Sequence, residues 1–178
     1  WHSQLQDKME TVRGQQITYS HFNRRSNDEV IFPSKTGEHI TVFFGVDSSG
    51  SMGDDELGEA VSELQGIMNQ LDSWNITVAS CDTRCHVISE LDSDEDDELT
   101  KDKAQFVGMG GTELSPMIQY AQEMDEDEQP SIIIILTDGM IPVEPIREVY
   151  EEEIPLLFIV TGDGQDLSEH FDCIKLEV

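Results

Sequence analysis

Unbroken apolar runs of strand length alternate along this chain with stretches whose apolar residues recur every three or four positions. The runs include Val42 to Val46, Ser131 to Leu136 and Ile154 to Val160. Segments this short and this apolar predict strands buried on both faces, as in the middle of a parallel sheet. Between the first two runs, Leu57, Val61, Leu64, Met68 and Leu71 form one helical stripe. Asp54, Asp55 and Glu56 precede it, at the end where a helix dipole favours negative charge. Gly58 and Gly66 lower the intrinsic helix propensity there without interrupting the stripe. Leu114, Met117, Ile118 and Ala121 predict a second helix with Pro116 in its first turn, where a missing N–H costs nothing. Pro145 to Glu152 predicts a third, and Trp1, Leu5, Met9 and Val12 a short amphipathic helix closed near Gly14.

Two further runs, Ile76 to Cys81 and His86 to Leu91, are joined by the short turn Asp82-Thr83-Arg84 and predict a hairpin, which adds one antiparallel strand. Cys173 to Val178 alternates as an edge strand does. From Gln15 to Glu38 the apolar residues Tyr19, Phe22, Ile31 and Phe32 are scattered among polar ones, with Pro33 and Gly37 as punctuation. This is expected to be an extended arm with a few apolar anchors, its Arg24 and Arg25 paired with local carboxylates. The expected organisation is a helix and arm over residues 1–37, packed on an α/β body over residues 38–178. A length of 178 residues suits a single body of this kind. The opening residue, Trp1, is what a portion cut from a longer protein would begin with.

Composition removes several functions. With 38 acidic against 10 basic residues and a formal net charge of -28, the chain is unsuited to nucleic acid, whose phosphates demand clustered Lys and Arg. So much acid is read as a device for solubility or for a salty environment. No run reaches the length of a transmembrane helix and no secretory signal is present, so neither a membrane nor export is expected. Three cysteines, Cys81, Cys85 and Cys173, make an odd number that suits a reducing compartment, and a cytoplasmic location is expected. Cys81, Cys85 and His86 match no standard zinc spacing, so free thiols packed in or near the hairpin are preferred. The acidic run Asp92 to Glu98 imitates a calcium loop. It has Asp97 where that loop needs Gly and Lys103 where it needs Glu, and is read as a solvated loop.

The informative chemistry follows the buried strands. Asp47, Ser49 and Ser51 come directly after the first run, within a glycine-containing turn. Thr112 follows the pair Gly110-Gly111 ahead of a helix, and Asp138 ends the most apolar run before Gly139. In an open parallel sheet, strand ends of one sense share a rim. Carboxylates and hydroxyls gathered there favour a hard cation such as Mg²⁺. Asp82 falls on the same rim and is assigned to the surroundings of the ion rather than to the ion itself. Each residue also has a plain reading: strand-end carboxylates that cap backbone N–H groups, and a Thr that caps a helix.

The combination Asp47-x-Ser49-x-Ser51, Thr112 and Asp138 resembles the metal-ion-dependent adhesion site of von Willebrand factor type A (VWA) domains over about His39 to Val178. With Trp1, Phe22-Asn23-Arg24-Arg25, Cys81-Asp82, Gly110-Gly111-Thr112 and Val160-Thr161-Gly162, the chain resembles more closely the VWA-like C-terminal domain of a metallopeptidase-like family of unknown function. The resemblance implies a Rossmann-like VWA fold, α/β, with a mostly parallel sheet, one antiparallel strand and helices on both faces. It implies that Ser49, Ser51 and Thr112 bind Mg²⁺ (or Mn²⁺ or Ca²⁺) directly, with Asp47 and Asp138 acting mostly through water. The ion would then capture an Asp or Glu of a protein partner. Genes of the family often neighbour MoxR-type AAA+ ATPases, which implies an adaptor role. The zinc peptidase region of that family lies upstream, and no His-Glu-x-x-His occurs here: His39 is followed by Ile40 and His170 by Phe171. No catalytic residue is therefore assigned. The alternatives are a non-catalytic part of a larger metallopeptidase-like enzyme, or a structural domain with a vestigial metal site.

Overall fold

A computed structural model describes residues 1–15, 17–18, 34–35, 39–47, 54–71, 73–81, 84–95, 98–104, 113–161 and 165–176. Ser49, Ser51, Asp82 and Thr112 lie outside these residues, as do the Arg24-Arg25 pair, Asp97 and the greater part of the expected arm. In chain order the elements are α1 (His2–Gln15), β1 (Ile17–Thr18), β2 (Ser34–Lys35), β3 (His39–Asp47), α2 (Asp54–Met68), β4 (Ser73–Cys81), β5 (Cys85–Asp92), α3 (Ser115–Gln122), β6 (Ile132–Thr137), α4 (Val143–Val149), β7 (Leu156–Val160) and β8 (Asp172–Lys175). The arm contributes β1 and β2, a two-residue antiparallel pair.

The large sheet runs β5-β4-β3-β6-β7-β8. Every pairing in it is parallel except β4 with β5, as the hairpin predicts. Alternation sorts the side chains into two cores. On one face Val42, Phe44 and Val46 of β3 and Ile132, Ile134 and Leu136 of β6 pack with the α1 residues Leu5, Met9 and Val12 and with the α2 stripe. On the other, Phe43, Ile133, Ile135 and Phe158 pack with Met117 and Ile118 of α3 and Ile146 of α4. Double-sided burial is why β6 is apolar at nearly every position, and all six of its residues are buried.

The third helix departs from expectation. It begins at Val143, two residues early, and ends at Val149 rather than Glu152. Pro145 sits inside the first turn, whose N–H groups have no helical partner anyway, so it does not mark the start. At the far end Tyr150 turns extended and its N–H closes on Ile146 O at 2.9 Å. Glu152 then takes φ 58°, which helical geometry forbids. β4 is longer than expected, because Ser73 and Asn75 keep one half-buried face that the apolar count overlooks.

At Gly45 the sheet packs tightly against α3. A Cβ there would lie 2.5 Å from Met117 Cε and 2.7 Å from its Sδ. Because the clash is with the end of a flexible thioether, Gly45→Ala is expected to lower unfolding free energy by only about 1–2 kcal/mol, at unchanged m-value in urea.

Candidate functional site

β3 and β6 are parallel neighbours at the point where the strand order reverses: from β3 the chain proceeds to β4 on one side, and from β6 to β7 and β8 on the other. Such a switch point opens a crevice at the carboxyl ends of the strands. The register ends in the pair Val46 and Leu136. Asp47 and Thr137 come next, and Asp138 one position beyond, so the two sequence-predicted carboxylates stand at or just past the ends of adjacent strands.

Their surroundings differ. Asp47 is wholly buried and accepts a 2.7 Å hydrogen bond at Oδ2 from the hydroxyl of Thr137, itself wholly buried. That hydroxyl also accepts from Gly139 N–H at 3.1 Å. One side chain thus holds the Asp47 carboxylate and the turn carrying Asp138. Asp138 Oδ1 accepts from Met140 N–H at 2.9 Å, closing a tight Asx turn. Gly139 makes the turn feasible: its φ is +78°, and a Cβ would come within 2.9 Å of Gln165 O. Thr161, buried at the end of β7, donates its N–H to Thr137 O at 2.9 Å. Met140 stands next to this turn with 69% of its surface exposed.

Across β4, Cys81 is in register with Asp47. Its thiol donates to Glu113 O at 3.0 Å, which fixes the residue directly after Thr112. Ser115 Oγ donates to Glu113 Oε1 at 3.0 Å, and Leu114 is fully buried. Cys81 also pairs with Cys85 across the hairpin, and both are free thiols. Burial pushes the Cys85 thiol up to about 11, which keeps it protonated near neutral pH. The acidic run opens as a 3₁₀ turn, Ser93–Glu95, with Asp94 N–H bonded to Asp92 Oδ1 at 2.7 Å.

Seven polar residues are buried among those described, and five of them, Asp47, Ser80, Thr137, Asp138 and Thr161, sit at or next to strand ends on this rim. Thr137 and Thr161 were not among the sequence candidates. The available signal was position, since each directly follows an apolar run and stands one or two residues before a glycine. The donor set at the crevice is oxygen, with the nearby Cys81 sulfur engaged by backbone, and this chemistry fits a hard divalent ion. Among the described residues no three His, Cys, Asp or Glu side chains form a group able to hold a metal. Any ion there therefore needs ligands beyond Asp47 and Asp138.

The sequence profile of the family described as VWA-like domain (DUF2201) matches residues 42–174. The chain belongs to this family. Solved structures share the fold of this VWA-like domain. A von Willebrand factor type A protein from Catenulispora acidiphila superposes with a TM-score of 0.57 at 15% identity, over 82% of this chain and 40% of that one. The ArnB paralog VWA2 from Sulfolobus acidocaldarius gives 0.51 at 21%, over 70% and 35%. The conserved hypothetical protein BatB from Bacteroides thetaiotaomicron gives 0.50 at 18%, over 69% and 67%. The VWA-like domain thus spans well under half of the first two proteins. No curated protein matches it. No helix among its described residues is long and apolar enough to cross a membrane.

Thr137→Val keeps the shape of the side chain but withdraws the donor from a buried carboxylate. It is expected to cost about 2–3 kcal/mol in urea unfolding. The raised Cys85 value keeps its thiol neutral at pH 8 and admits the reactive thiolate only as pH climbs towards 11. Alkylation of Cys85 by iodoacetamide at pH 8, followed by peptide mass spectrometry, should run about 100-fold slower than for a free cysteine.

Proposed function

We propose that this VWA-like domain is a protein-binding module that works through a divalent cation, Mg²⁺ by preference, held at the β3–β6 crevice. The observation that supports the reading is the position of Asp47 and Asp138 at the ends of two adjacent parallel strands of the switch point, with Asp47 wholly buried. Ser49, Ser51 and Thr112 complete the oxygen shell in this reading, and Asp82 supports it from the same rim. The bound ion supplies a Lewis-acidic position able to accept a carboxylate from outside. The domain's own part is to hold two carboxylates in place, Asp47 through the Thr137 hydroxyl and Asp138 through its turn.

The partner inferred is a protein with an accessible Asp or Glu. A carboxylate approaching a chain of net charge -28 is repelled unless positive charge is supplied locally, and a divalent ion supplies it. Exposed Met140 offers that partner an adaptable apolar contact beside the carboxylate pair. The resemblance to domains encoded near MoxR-type AAA+ ATPases makes delivery of a bound protein to such a machine part of the same reading.

Thermal unfolding tests it. At a Mg²⁺ concentration about tenfold above the dissociation constant, the melting temperature should rise by about 3–5 °C, and EDTA should reverse the rise. Asp47→Ala and Asp138→Asn should each abolish the shift, whatever their own stability. Curves for the unmodified chain that coincide in Mg²⁺, Mn²⁺ and EDTA would leave the vestigial-site alternative standing in its place.

A further inference from the structure

Of the seven buried polar residues, five belong to the rim and Ser115 is bonded to Glu113. Thr77 is left over. It lies in the middle of β4, only 8% exposed, and its hydroxyl hydrogen-bonds to none of the described residues. Among the described residues only Trp1 Nε1 is a buried side-chain polar atom without a partner, so the Thr77 oxygen itself reaches solvent, and the space it opens onto matters.

It faces a cleft of about 310 Å³ on the α3 side of the sheet. The register accounts for the lining. Thr77 pairs with Glu90 of β5, and Asn75 with Asp92, so all four share one face in two adjacent cross-strand rows. Met124 and Glu128, from the segment after α3, form the opposite wall. Thr41 and Asn75 are partners in the β3–β4 register, as are Asp47 and Cys81. The cleft therefore begins, at Thr77, about 13 Å along the strands from the Asp47–Asp138 crevice.

The lining sets the chemistry of an occupant. Hydroxyl, amide carbonyl and carboxylate oxygens all accept hydrogen bonds, and no Lys or Arg is among the described residues that line the cleft. Neither Glu90 nor Glu128 is in a salt bridge with a described basic residue. The occupant must bring positive charge and several N–H donors. A single metal ion is a poor match, because the carboxylates stand on different walls and no three of them converge. The volume is at the small end of ligand pockets, and Met124 adds a pliable apolar surface.

We propose that this cleft is a binding site for a small linear aliphatic polyamine. One primary ammonium is held by the Thr77 hydroxyl and Glu90, a second amine is held by Glu128, and the methylene chain lies against Met124. An ammonium has three N–H donors, enough to satisfy Thr77 and a carboxylate together.

The test is isothermal titration of the full chain with spermidine at 150 mM salt. One site should be seen, and it should persist in EDTA and in Asp47→Ala, which separates it from the crevice reading. Thr77→Val should weaken binding about 10-fold, while Thr77→Ser, which keeps the hydroxyl, should stay within about 2-fold. The double variant Glu90→Gln/Glu128→Gln should also weaken it about 10-fold. Glu144→Gln/Glu148→Gln, which removes the same charge from α4, should not. Equal losses in the two double variants would reduce the binding to bulk attraction and overturn the site. So would an unchanged affinity in Thr77→Val with native circular dichroism. Tighter binding of N-acetyl-lysine methylamide than of spermidine would assign the cleft to a lysine side chain instead.

Discussion

The parallel register of β3 against β6 is the constraint on which the rest of this molecule depends. It sets Val46 beside Leu136, and from that one alignment follow the adjacency of Asp47 with Thr137 and the emergence of Asp138 into the crevice. Slipping the register by one residue would turn Asp47 to the other face and lose the 2.7 Å bond from Thr137. Two apolar cores hold the alignment, because each face of these strands is filled by different residues. Burial on both sides means that a shifted phase would have to repack both cores at once.

A buried carboxylate is expensive, and the fold concentrates that expense in one place. Thr137 serves Asp47 and Gly139 with a single hydroxyl, so Asp47 and the turn that carries Asp138 form one hydrogen-bonded unit. The thiol of Cys81 fastens the entry to α3 from the neighbouring strand. Strand, turn and helix entry are thereby fixed by polar contacts lying directly above a packed core, the arrangement that positions functional groups most accurately.

Much of this was legible in the sequence. Apolar runs without alternation gave β3, β6 and β7, the turn 82–84 gave the one antiparallel strand, and the order of elements gave a sheet covered on both faces. Asp47 and Asp138 were identifiable because each ends a run buried on both sides. Periodicity does not reveal which of several residues at a strand end will bond to another strand, so Thr137 was missed and Thr161 was placed on the rim without a role. The bounds of α4 were misjudged because proline is tolerated throughout a first turn, not only at its first position. Thr77 reads in the sequence as one more β-branched strand residue, and only the cross-strand rows reveal the cleft it faces.

Among the described strands the sheet ends at β5 and β8, and an edge strand can invite strands from other molecules. Here β5 is a poor template. The β4–β5 register shifts between Val78 and Ala79, and His86, Glu90 and Asp92 bring charge or polarity to a strand that buries only Leu91 fully. On the opposite side β8 is four residues long, and Asp172 at its start is engaged by Lys8 of α1. A chain whose central strands are rich in isoleucine, the composition most prone to aggregate, is thus terminated on both sides by strands that discourage lateral growth.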